Sequence, residues 1–121
     1  METKPEKKGG KDLIIVALFE ILGNAVLVSA ISAVSQTGGM MIGISYSLYL
    51  AIQFTGDITG GHINPAVTLA VLIAGSHYKK IGIAIILFIS QAIGACLGVI
   101  IAHAAIGKYA SLAPSGSSTE T

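Results

Sequence analysis

The sequence predicts an all-α membrane protein with three membrane-spanning helices and one shorter, re-entrant helix. Of its 121 residues 53% are hydrophobic and only 11% are charged, a balance far from that of soluble domains. Between residues 13 and 78 the only charged side chains are those of Glu20 and Asp57, whereas a soluble helical domain repeats polar residues along its outer face. The apolar helix faces must therefore lie against lipid or against one another.

Three apolar runs have the length of membrane spans, namely residues 13–34, 40–56 and 81–106. A hydrocarbon core roughly 30 Å thick needs about 20 helical residues at about 1.5 Å each, so the second run is at the short end. The first run is too long for the apolar part of a secretory signal, and we expect it to be retained.

Polar segments flank and separate these spans. Residues 1–12 mix lysines with acidic residues and are predicted to form a disordered tail. Residues 35–39 form an uncharged turn, and residues 107–121, rich in Ser, Thr, Gly and Pro, are predicted to be a flexible tail.

Residues 57–75 predict a re-entrant loop followed by a half-length helix. Gly60 and Gly61 permit irregular backbone, and the pair Asn64 and Pro65 is typical of an N-cap followed by the first helical residue. Polar residues from Ser76 onward end this helix after roughly 16 Å, which is half a membrane. An ordinary capped turn between two helices is the alternative, but the half-membrane length favours a re-entrant segment.

The lysine distribution predicts the orientation. Six lysines flank the predicted cytoplasmic side and one, Lys108, follows the third span, so we expect a cytoplasmic amino terminus and a non-cytoplasmic carboxyl terminus. The six are Lys4, Lys7, Lys8, Lys11, Lys79 and Lys80. The half-helix must then enter and leave from the cytoplasmic side.

Irregular backbone at membrane depth also predicts a function. Such backbone is tolerated only where it is buried in protein or lines a water-filled cavity, so residues 60–63 indicate a wet pathway. The positive end of the half-helix would disfavour cations there, and the Asn64 amide could donate a hydrogen bond to a passing molecule. The predicted cargo is water or a small neutral solute.

Residues 60–68 read Gly-Gly-His-Ile-Asn-Pro-Ala-Val-Thr, which resembles the first motif loop of the aquaporin and aquaglyceroporin (major intrinsic protein) family. Glu20 in the first span and Gln91 in the third resemble that family's buried polar residues. The resemblance covers about residues 13–105 and concerns one, amino-terminal, half of a channel. It implies that loop carbonyls line a pore with Asn64 at its centre. The residues expected to line the pore are Gly60, Gly61, His62, Asn64, Pro65, Ala66 and Ile44.

Ile44 belongs to this set because it lies twenty residues before Asn64, where similar channels place an aromatic filter residue. Isoleucine is smaller and offers no ring face. We therefore expect that a completed pore is not a narrow, water-only filter.

Several polar and small residues allow two interpretations. Glu20 is either a proton-relay group or, as the resemblance implies, a structural acceptor for loop amides. Gly94 and Gly98 either mediate dimerisation or let the third span pack closely within the same chain, which we favour. Cys96 is expected to serve in packing.

Family channels combine two inverted halves, whereas this sequence shows one Asn-Pro-Ala motif and no arginine. Two functions are therefore expected. The first is a channel half that needs a complementary half, or full-length subunits in a family-type tetramer, to form a pore. The second is a non-conducting membrane protein that acts as an assembly or regulatory partner.

Other functional classes are not favoured. No nucleophile, base and orienting group converge, so we do not expect an enzyme. The absence of arginine argues against nucleic acid as a partner. We expect neither a cofactor nor a metal ion, because no spacing typical of a metal site joins Asp57, His62, His77 and His103.

Overall fold

The computed structural model describes residues 10–34, 39–75 and 80–107. These residues form four helices and no strand: α1 (Gly10–Val34), α2 (Met40–Thr59), α3 (Pro65–Ala74) and α4 (Ile81–Ile106). The prediction of an all-α fold with three long helices and one half-length helix is confirmed. Most of the two predicted tails, at 1–9 and 108–121, lies outside the described residues, as do residues 35–38 and 76–79.

Two helices extend three residues beyond the predicted spans. Helix α1 begins at Gly10, so the last three residues of the predicted tail are helical, and Asp12 in the first turn favours this extension because it complements the positive helix end. Helix α2 continues past residue 56 to Thr59. It ends where Gly60 adopts the left-handed conformation, with φ 87° and its N–H donated to the Gly56 oxygen at 2.9 Å.

Helix α1 is the central element, since it packs against both α2 and α4, while α3 packs against α4. The contact between α1 and α4 is close because two glycines of α4 face α1. A Cβ atom at Gly94 would overlap the backbone oxygen of Ile21, and one at Gly98 would lie 2.8 Å from the oxygen of Ala25. These glycines are therefore used for packing within the chain.

Polar side chains lie inside the helix bundle and large apolar side chains lie outside. The side chains of Met41 and Ile42 are 83% and 79% exposed, and Cys96, expected to serve in packing, is exposed as well. This distribution is the reverse of that in a soluble protein. The buried polar residues are Glu20, Asn24, Ser32, Ser47, Thr55, Thr68, Ser90 and Gln91.

Two described segments are both long and apolar enough to cross a membrane. They are Asp12–Val34, with a mean hydropathy of 2.3, and Ile81–Ile106, with a mean hydropathy of 2.5. Helix α2 has 20 residues, or about 30 Å, which is sufficient length, but it contains more polar side chains. Helix α3, with 10 residues, is about 15 Å long.

Candidate functional site

The amino-terminal end of α3 is formed by a capped turn. Asn64 has extended backbone, with φ −151° and ψ 128°, and its side-chain oxygen Oδ1 accepts the N–H of Ala66 at 2.8 Å. Pro65 occupies the first helical position, where its missing N–H costs nothing. The local sequence thus fixes the point at which the half-helix begins.

The loop before this helix has unusual backbone at three positions. Gly60, Gly61 and Ile63 have φ values of 87°, 65° and 36°. Glycine adopts such values readily, but a β-branched residue does so only under strain, at a cost of about 1–3 kcal/mol. The conformation of Ile63 must therefore be held by its surroundings.

Glu20 provides that support from α1. Its carboxylate is fully buried, and Oε2 accepts both the Ile63 N–H at 2.9 Å and the Gln91 Nε2–H at 2.8 Å. The other oxygen, Oε1, accepts the Thr59 hydroxyl at 2.5 Å. One side chain thus joins the loop, the end of α2 and the middle of α4, a geometry that supports its interpretation as a structural acceptor.

A second hydrogen-bonded group connects α3 to α4. The buried Gln91 also donates from Nε2 to Thr68 Oγ1 at 3.0 Å, and His62 Nδ1 lies 3.1 Å from the same hydroxyl oxygen. The Gly61 N–H donates to Thr59 Oγ1 at 3.1 Å. Sequence reasoning missed Thr59 and Thr68. Their positions beside the glycine pair and one helical turn after Asn64 were the available signals.

The opposite side of the same segment is exposed. Asn64, Pro65 and Ala66 are all exposed, and no residue in the described part of the chain accepts a hydrogen bond from Asn64 Nδ2. Because Oδ1 accepts the capping hydrogen bond, Nδ2 is the polar atom of this side chain that has no partner among the described residues. Asn64 therefore presents a donor on the open side of the bundle.

Ile44 is not brought to this loop. It is half-buried near the beginning of α2, and Thr59 lies 15 positions further along the chain, which corresponds to about 22 Å of helix. Within the described ranges, α2 and α3 do not pack against each other. No three His, Cys, Asp or Glu side chains among these residues are grouped as metal ligands.

Comparison with known proteins adds to this geometry. Residues 11–119 match the profile of the family described as Major intrinsic protein, which is most of the chain. The chain belongs to the major intrinsic protein family. This membership and the apolar outer surface make it an integral membrane protein.

Individual members of the major intrinsic protein family are similar over part of their length. The chain is 34% identical to "Probable aquaporin PIP2-6" of Oryza sativa subsp. japonica over 104 residues, which cover 74% of this chain and 36% of that protein. It is 38% identical to "Aquaporin-9" of Homo sapiens over 58 residues, covering 46% of this chain and 20% of that protein. The matches thus span between about a fifth and a third of these curated relatives. No solved structure matches the chain significantly.

Proposed function

We propose that this chain is one half of an aquaporin-type channel for water or small neutral solutes. The observation that carries the proposal is a half-length helix whose exposed Asn64 cap follows a loop that is hydrogen-bonded to the buried Glu20 of the apolar helix α1. We infer that this loop lies at membrane depth. Irregular backbone at that depth is stable only beside protein or water, and the loop has protein on one side. A wet pathway on its other side completes the requirement.

The chemistry of the exposed side suits neutral cargo. Asn64 Nδ2 donates hydrogen bonds to an oxygen of water or of a small alcohol, and the α3 amino terminus adds a positive partial charge. That charge disfavours cations in the same place. The backbone carbonyls of Gly60, Gly61 and His62 act as successive acceptors along the pathway.

A single half-helix cannot line a complete pore, because α3 reaches across only about 15 Å of a hydrocarbon core roughly 30 Å thick. A second copy in the same orientation would place its half-helix on the same side. The partner is therefore an inverted half, with its own Asn-Pro-Ala motif and an arginine, that approaches the exposed face of Asn64, Pro65 and Ala66.

The proposed orientation follows from the lysine bias and can be tested by labelling. Single cysteines at Thr3→Cys and Ser117→Cys, in a Cys96→Ser background, should react with an impermeant maleimide from opposite membrane faces. Reaction of both from one face would mean an even number of crossings and would contradict the re-entrant α3.

Co-reconstitution tests the channel function itself. Vesicles that contain this chain and an inverted aquaporin half should shrink faster under an osmotic gradient than vesicles that contain the second half alone. A pair that assembles, as shown by co-purification, but adds no flux would favour the alternative of a non-conducting assembly partner.

A further inference from the structure

We propose that Gly23 is a positioning residue for the pore loop, because the space left by its missing side chain seats both Thr55 and Ile63. The effect on transport rests on the proposed channel function, whereas the effect on loop geometry does not. Gly23 lies three residues after Glu20 on the same face of α1 and is buried. The loop is thus held by two neighbouring features of one helix.

The space at Gly23 is filled from two directions. A Cβ atom there would lie 2.5 Å from Thr55 Cγ2 and 3.0 Å from Ile63 Cγ2. Thr55 is fully buried and Ile63 is 3% exposed, so protein surrounds both side chains. Any residue larger than glycine must displace α2, the loop or both.

Rotation of Thr55 is restricted by its hydrogen bond. Its hydroxyl donates to the Ala51 oxygen at 2.8 Å in a buried position, so a new rotamer must keep a backbone acceptor for Oγ1 and also move Cγ2 away from Gly23. We therefore expect the backbone to move as well.

Such movement lengthens two hydrogen bonds of the Glu20 carboxylate. Thr59 is one turn beyond Thr55, so an outward shift of α2 lengthens its 2.5 Å hydrogen bond to Glu20 Oε1. A shift of Ile63 lengthens its N–H bond to Oε2, which is 2.9 Å. Glu20 fixes the backbone of Ile63 and the space at Gly23 accepts its side chain. Because Asn64 is the next residue, both features determine where its amide lies.

Gly23→Ala, with a second-site change and a control, tests the proposal in the complete chain. Thr55→Ser removes Cγ2 and keeps the hydroxyl, so the double variant lacks the closest overlap. Gly82→Ala is the control, because a Cβ there meets no atom within 4 Å. Hydrogen exchange of the Ile63 amide, measured by NMR in micelles, reports on its bond to Glu20.

We expect Gly23→Ala to accelerate exchange of the Ile63 amide about tenfold or more, and Thr55→Ser to restore most of the protection. Gly82→Ala should leave it unchanged. Solute flux through the co-reconstituted pair should fall with Gly23→Ala and recover in the double variant. If Gly23→Ala does not fold, recovery of folding by Thr55→Ser supports the proposal and its absence contradicts it.

Unchanged exchange at Ile63 in Gly23→Ala, or equal acceleration with and without Thr55→Ser, would overturn the proposal. A wild-type pair without flux would instead contradict the channel function. In that case the Ile63 amide still decides the role of Gly23.

Discussion

The segment from Gly60 to Ala66 has an inner and an outer side with different surroundings. On the inner side, the N–H groups of Gly61 and Ile63 are paired with Thr59 and Glu20, and the Ile63 side chain is buried. On the outer side, Asn64, Pro65 and Ala66 are exposed. The described chain thus contains the support for the loop but does not cover its outer side. Changes on the inner side should alter stability, and changes on the outer side should alter transport alone.

The largest expected effect is that of Glu20→Ala on the inner side. The variant leaves the buried Ile63 N–H without an acceptor and opens a cavity, whereas Thr59 can still donate to the Thr55 oxygen, which lies 3.2 Å away. We expect the free energy of unfolding in micelles to fall by about 3 kcal/mol or more. Unfolding by titration with sodium dodecyl sulfate measures it.

Asp57→Ala is the matched control, since Asp57 is an exposed carboxylate close to the same loop. It should change the free energy of unfolding little. Similar losses in the two variants would show that the position of Glu20 inside the bundle has no special importance.

The next largest effect on stability is expected at the close contact between α1, which carries Glu20, and α4, which carries Gln91. Gly94→Ala pushes a methyl group into the Ile21 backbone and should lower the free energy of unfolding by about 1–3 kcal/mol. Gly82→Ala adds the same methyl group where space is open and should stabilise its helix by up to about 1 kcal/mol. Changes of the same sign would contradict close packing at Gly94.

Asn64→Asp tests the outer side. Aspartate caps helices about as well as asparagine and can accept the Ala66 N–H, so we expect the free energy of unfolding to change by less than about 0.5 kcal/mol. The substitution removes the Nδ2 donor and adds a negative charge, which should impair flux through the co-reconstituted pair. Unimpaired flux would remove Asn64 from the pathway.

Ile44→Phe should have the smallest effect on the fold, since the residue is only half-buried and lies far along α2 from the loop. If Ile44 lines the filter of a completed pore, a phenyl ring there narrows that filter, and passage of glycerol should fall more than passage of water. Relative glycerol and water fluxes through the co-reconstituted pair provide the measurement. An unchanged ratio would exclude Ile44 from the filter.

Sequence reasoning predicted the helices better than their mutual contacts. Apolar runs and the Asn64 and Pro65 pair determine helices locally, so α4 covers the predicted residues 81–106 and α3 begins at the predicted residue. The roles of Thr59, Thr68 and Gly23 depend on atoms that are distant in sequence. Thr59 and Glu20, for example, are 39 residues apart. No local pattern contains that distance, and no spacing predicts the positive φ of Ile63.

The osmotic permeability of vesicles that contain only this chain, inserted in one orientation, tests most directly whether it is one half of a channel. We expect shrinkage at the rate of protein-free lipid vesicles, because α3 lines only one half of the membrane, and faster shrinkage once an inverted half is co-reconstituted. Rapid water or glycerol flux through the chain alone would contradict this account.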